Sequence, residues 1–174
     1  PVIDALARLA TEGIVEHSPR SGYFVRTFTT KDVADIYNVR CALECQALEE
    51  LYERVRPDEI ESLAEILGDT YVTLQHGDMR PYVLADDAFH TKLVELAGNN
   101  VISTMLDQLK DQIQLIRVMV AVSPERVIRA AKEHEEILAS LLDHDLQAGR
   151  QALRHHIDSV RVEVINQLQN KVRS

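Results

Sequence analysis

The stretch from Ala85 to Asn99 reads ADDAFHTKLVELAGN, and it sets Asp86 and His90 four residues apart beside Phe89, Leu93 and Leu96. A helix stacks residues i and i+4 one above the other, so this carboxylate and this imidazole can grip one object. Two ligands on one helix do not hold a metal ion alone, and the remaining donors must come from elsewhere. Advancing about 100° per residue shows which polar residues fall inside each apolar stripe, where a solvated charge has no business. Asp86 lies within the stripe of its helix and His90 at the margin, whereas Asp87 points away. Among Val127, Ala131, Leu138 and Leu141, His134 sits near the centre of the face. Beside Leu153, Ile157, Val160 and Val164, His156 turns inward and its neighbour His155 outward.

One carboxylate and three imidazoles, directed inward from three helices, make a metal-site constellation. Neutral imidazole and carboxylate suit Zn²⁺, Ni²⁺, Mn²⁺ or Fe²⁺ rather than Cu(I) or an iron–sulfur cluster. Four protein donors leave one or two positions open on a five- or six-coordinate ion, where an anionic small molecule can bind. A lone inward histidine is more often a hydrogen-bonded core residue. Burying all four without an ion, however, requires separate partners, at about 1–3 kcal/mol for each group left unsatisfied. His17, His76, His144 and His155 fall in a strand, at helix ends or on a wet face and read as surface. Arg40 and Glu44 lie inside the stripe of Val33, Ile36, Tyr37, Leu43, Ala47 and Leu51. They are either a buried ion pair that fixes helix packing or an arginine fork presented to a ligand carboxylate. Cys41 and Cys45 read as packing residues with reduced thiols.

The elements that must position these groups are nearly all helical. With no Trp and few Gly or Pro in 174 residues, the periodicity predicts helices over Thr30 to about Val55, Pro57 to about Gly77, 79–97, 100–121, 124–143 and 146–171. Gly98-Asn99 should close the third, and Ser123-Pro124 should open the fifth. Six amphipathic helices with short connectors predict an all-α, antiparallel six-helix bundle. Ahead of it, residues 1–13 read as a short helix stopped by Gly13, and residues 14–28 as two β-rich runs around a turn at Ser18–Gly22. A helix followed by a hairpin with a basic tip is the rear half of a winged helix-turn-helix. Residues 1–30 balance three arginines against three acids, so the remainder carries the whole net charge of -9. A boundary therefore falls at Thr29–Thr30, dividing 1–29 from 30–174. No apolar run approaches the roughly 20 residues that span a bilayer, and no secretory pattern opens the chain, so a soluble, cytoplasmic protein is expected.

PVIDALARLATEGIVEHSPRSGYFV resembles the end of the winged-helix domain of GntR-superfamily transcription regulators. IYNVRCALECQALE (36–49), DDAFHTKLVELAGN (86–99), EHEEIL (133–138) and ALRHHI (152–157) resemble the FCD effector domain of the FadR subfamily. The resemblance implies a dimeric, ligand-responsive regulator whose helical domain binds a divalent metal and a small carboxylic acid. The family's metal ligands map onto Asp86, His90, His134 and His156, and its inward arginine onto Arg40. Arg8 and Arg20 become the candidate contacts to operator DNA. Ile3-Asp4 stands where the family usually has Arg-Glu after Pro-Val, which removes a side chain that reaches phosphate in relatives. The first two helices of a winged domain would precede this stretch, so operator binding by the chain as given is expected to be incomplete. Two other functions use the same residues. One is a metal-dependent hydrolase or oxygenase, against which stands the lack of an inward general base other than Glu44; the other is a dimerisation module with a structural ion. The regulator, not an enzyme, is the reading the motifs favour.

Overall fold

The computed structural model of the chain describes residues 1–68, 80–120 and 123–173. Helix α1 (Val2–Thr11) is followed by the antiparallel strands β1 (Val15–Ser18) and β2 (Gly22–Val25), paired from Val15 opposite Val25 to Ser18 opposite Gly22. Gly13, at φ 74°, makes the sharp exit from α1, and Arg20 and Gly22 take positive φ around the hairpin tip. No residue of α1 is buried.

Six helices follow. They are α2 (Thr30–Tyr52), α3 (Pro57–Gly68), α4 (Arg80–Ala97), α5 (Asn100–Met119), α6 (Pro124–Leu142) and α7 (Leu146–Arg173). The expected end of α3 near Gly77, and His76 with it, lies outside the described residues. Local chemistry accounts for the starts. Thr29 Oγ1 accepts the Asp32 amide while Asp32 Oδ2 accepts the Thr29 amide, a reciprocal cap. Asn99 caps α5 through the amides of Val101 and Ile102, and Ser123 caps α6 through that of Arg126, with Pro124 in the first turn. Gly98 ends α4 at φ 67°.

Helix α2 runs through the middle of the bundle, against α4, α5 and α7, and α6 packs on α7. Their shared core holds Leu48, Leu51, Phe89, Leu93, Leu153 and Ile157, none of them exposed. Each such side chain contributes about 1.5–3 kcal/mol on leaving water. This apolar shell surrounds a patch of buried polar residues contributed by α2, α4, α6 and α7.

One close approach fixes how α7 seats. Gly149 faces Tyr52, whose hydroxyl lies 2.8 Å from Ser140 Oγ and 3.0 Å from the Asp145 carbonyl. A Cβ at Gly149 would collide with the Tyr52 hydroxyl and meet Ser140 Oγ at 2.8 Å. Helix propensity alone favours alanine there by about 1 kcal/mol, but overpacking costs about 1–3 kcal/mol. Gly149→Ala is therefore expected to lower stability in urea unfolding, and to lower it less in a Tyr52→Phe background. A stabilising Gly149→Ala would show that this contact does not set the helix position.

Candidate metal centre

Asp86 and His90 leave α4 from adjacent turns, His134 comes from the centre of the α6 stripe, and His156 from the inner flank of α7. All four are buried, His134 and His156 completely. One donor atom from each lies within 4.8 Å of the others. His90 Nε2 stands 3.1 Å from His156 Nε2 and 3.3 Å from His134 Nε2. Asp86 Oδ1 is 3.6 Å from the Nε2 atoms of His134 and His156 and 3.9 Å from that of His90.

The far side of each ring decides what these nitrogens can do. His90 Nδ1 faces Glu44 Oε2 at 2.6 Å, and His156 Nδ1 faces Glu133 Oε2 at 2.9 Å. His134 Nδ1 lies 2.9 Å from the Ala130 carbonyl, with the Tyr82 hydroxyl at 2.8 Å. Carboxylates and carbonyls only accept, so every Nδ1 carries the proton and every Nε2 presents a lone pair. Three lone pairs and a carboxylate oxygen then point at one another with no hydrogen between them. Neutral protein groups cannot satisfy that arrangement, and a cation can. With bonds of about 2.0–2.2 Å to nitrogen and oxygen, adjacent donors around one ion stand about 3.0–3.5 Å apart, close to the two separations from His90 Nε2.

Arginines hold the carboxylates, Arg40 and Arg126 buried and Arg117 nearly so. Arg117 Nη2 reaches Asp86 Oδ2 at 2.6 Å, Arg40 Nε reaches Glu44 Oε1 at 2.6 Å, and Arg126 grips Glu133 through both Nη atoms at 3.0 and 2.7 Å. Burial by itself would raise the carboxyl pKa values. The charge of Arg117 nevertheless holds Asp86 well below its usual range, and that of Arg40, with the hydrogen bond from His90, does the same for Glu44. Glu133 is lowered by His156 and Arg126 against the opposing effect of burial. Burial, then the neighbouring rings, pushes His134 well below the ordinary histidine value, and burial pushes His156 down to about 4. His134 and His156 are thus kept neutral, as metal-binding imidazoles must be.

The four expected ligands converge. Arg40 is buried and paired with Glu44, and it also lines a cavity of about 170 Å³ together with His90, Lys110 and Arg117. Arg8 and Arg20 lie exposed on α1 and at the hairpin tip, away from the centre. Asp87 points outward to Lys110 at 3.1 Å, and His155 is 66% exposed. Cys41 and Cys45 are buried, with sulfurs 4.0 Å apart. The groups that orient the ligands were missed as such: Glu133, Tyr82, Arg117 and Arg126 altogether, and Glu44 as the partner of His90. Arg117 sits one turn beyond the buried Ile113, so the same stripe test applied to α5 would have found it.

Two outcomes follow from this geometry. Glu44→Gln and Glu133→Gln each keep the shape but weaken the hold on a ligand histidine, and a loss of about 10–100-fold in metal affinity is expected from competition with a chromophoric chelator. Unchanged affinity in both would contradict the orienting role. In metal-free protein, the depressed His134 and His156 take up protons readily only when unfolded, with an unfolded value of about 6.5. The unfolded state then binds more protons, so stability should fall as pH drops from about 6.5 toward 4. The lowered carboxylates add a further loss below about 4. Thermal melts of chelator-treated protein across that window test the sign.

The FCD domain family matches residues 35–159. The chain is 24% identical over 159 residues to the HTH-type transcriptional regulator YdhC of Bacillus subtilis, covering 91% of this chain and 71% of that protein. It is 27% identical over 169 residues to the gluconate operon transcriptional repressor of the same organism, covering 94% and 69%. Among solved structures, E. coli McbR/YncC superposes with a TM-score of 0.85 at 19% identity over 95% of this chain and 83% of that one. The metal-free FCD domain of TM0439 gives 0.70 at 22% identity over 83% and 99%. No helix among the described residues is long and apolar enough to cross a membrane. These relatives regulate transcription, which sets aside the hydrolase and oxygenase alternative. The chain belongs to the FCD-domain family and is a transcriptional regulator of the GntR type.

Proposed function

We propose that residues 30–174 form a metal-dependent sensor of a small organic acid, and that its occupancy governs DNA binding by a winged-helix portion to which residues 1–29 belong. Asp86, His90, His134 and His156 would hold the ion, one of Zn²⁺, Ni²⁺, Mn²⁺ or Fe²⁺. The observation that carries this reading is the convergence of three Nε2 atoms and Asp86 Oδ1 on one point. When bound, the metal supplies a Lewis-acidic position for a carboxylate. The protein supplies the rest. Arg40 Nη1 is buried without a hydrogen-bond partner, and Arg40 lines the same cavity as His90, so a carboxylate there would satisfy it. The name of the gluconate operon repressor points to hydroxy acids as the first class to try.

A route from the sensor to the hairpin is available in α5. Arg117 touches Asp86 at one point of this helix, and Gln112, about 7.5 Å along its axis, touches the N-terminal unit. Gln112 Nε2 donates to the Glu12 carbonyl at 3.1 Å, and Arg26 Nη1 donates to Gln112 Oε1 at 3.4 Å. A shift of Arg117 on ligand binding would thus move the seat of α1 and the hairpin. In a homodimer, that changes the spacing of two DNA-reading heads that carry Arg8 and Arg20, and affinity for paired half-sites follows spacing. The acid must bind the two arrangements with different affinity for any such shift. The protein would work in the cytoplasm, where its operator lies.

Elemental analysis of the purified protein beside an Asp86→Ala, His134→Ala double variant should find near one equivalent of a transition metal in the first and none in the second. Equal content in both would sink the metal reading. Titration of metal-loaded protein with gluconate, citrate and lactate should then change hydrogen exchange at Ile14 and Arg26, and Gln112→Ala should abolish that change while leaving metal content intact. Stability that rises with metal but responds to no acid would leave the ion a structural one.

A further inference from the structure

A second cavity, of about 150 Å³, opens on the other side of Arg117, the only residue its lining shares with the first. Its character is different. Val120, Val127 and Val164 are nearly fully buried, Val83 and Val160 partly so, and these valines dominate the walls. At this depth the chamber meets Arg126, which is 3% exposed and whose Nε is buried with no hydrogen-bond partner. The two Nη atoms of Arg126 are already committed to Glu133. One donor of a lining residue therefore remains unmatched. A buried N–H left unmatched is costly, and nothing in the acid-sensing role uses it.

We propose that this chamber is a second ligand site, for a small, neutral, mainly apolar molecule with a single hydrogen-bond acceptor, of the size of a cyclic ketone. The volume is that of a protein cavity known to take up a benzene ring, which sets an upper bound of roughly seven or eight heavy atoms. The acceptor takes the free Nε–H of Arg126, and the valines cover the hydrocarbon. Charge argues against an anion. Arg126 is neutralised by Glu133 and Arg117 by Asp86, and Glu163 at the rim adds a further negative group. A polyhydroxy acid would strand its hydroxyls against valine, so this ligand is chemically distinct from the one the first cavity suits. The guanidinium that receives it also holds Glu133, which holds His156, and an occupant is thereby linked to the metal ligands.

Calorimetry on the full chain, metal-free in the presence of chelator, tests the site without depending on the metal or on acid sensing. Cyclohexanone should bind saturably at one site, about fivefold more tightly than benzene, which lacks the acceptor, and at least about tenfold more tightly than hexanoate, which carries a charge the chamber does not compensate. Val160→Phe, at a partly buried wall position, should weaken cyclohexanone at least about tenfold by filling the space, with an unchanged circular-dichroism spectrum as the control for folding. The ranking in native protein stands as a test even if that variant misfolds. Absence of saturable binding, tighter binding of hexanoate, or undiminished binding in a folded Val160→Phe would overturn the proposal.

Discussion

Three imidazole nitrogens facing one another without a shared proton are the constraint on which the rest of the bundle depends. Each ring is committed by its far side: Glu44, Glu133 and the Ala130 carbonyl take the Nδ1 protons, so the Nε2 lone pairs have nowhere else to turn. Such a cluster is destabilising in a low-dielectric interior unless something positive resolves it. The surrounding structure accordingly excludes the easy escapes. His134 and His156 are fully buried, and Phe89 stacks its ring edge-on against His134 at 4.7 Å, leaving little space for the rings to rotate away.

Holding that cluster explains features of the fold that hydrophobic packing alone leaves arbitrary. Helix α2 contributes no ligand, yet it must lie in the middle of the bundle for Glu44 to reach His90, and it does so beside α4 and α7. Helix α5 likewise gives no ligand but brings Arg117 to Asp86. The consequence is that any strain at the centre is felt by five helices, α2, α4, α5, α6 and α7, through hydrogen-bonded pairs rather than through deformable side-chain packing. That is the property a sensor requires, because discrete polar contacts have few alternative arrangements and switch between them.

Much of this was legible in the chain itself. The stripes over α4, α6 and α7 carry the period of a helix, and a polar residue inside a stripe is a local anomaly visible without coordinates; Asp86, His90, His134 and His156 all declared themselves that way. The hairpin turn and the caps at Thr29, Asn99 and Ser123 are equally local. What stayed hidden is long-range. Glu44 meets His90 46 residues away, and Glu133 meets His156 23 residues away. Those pairings depend on how far each helix is slid and rotated against its neighbour, which periodicity does not encode. A small error shows the same: Leu138, taken into the stripe, sits only partly buried, while Ile137 beside it is wholly enclosed.

Charge completes the connection between the cluster and its ligand. The interior holds Asp86, Glu44 and Glu133, and against them Arg117, Arg40 and Arg126, each acid paired with its own guanidinium at 2.6 or 2.7 Å. Those six groups sum to neutrality, and burial keeps His134 and His156 uncharged. A divalent ion placed among them is therefore the one charge the protein leaves uncompensated, in surroundings where an isolated charge is expensive. A site built to hold only a structural ion is better served by more carboxylates than arginines. On the proposed reading, an excess of bound positive charge, with Arg40 lining the adjoining cavity and its Nη1 unsatisfied, instead favours an anion that comes and goes, and the free energy of that neutralisation is available for moving α5.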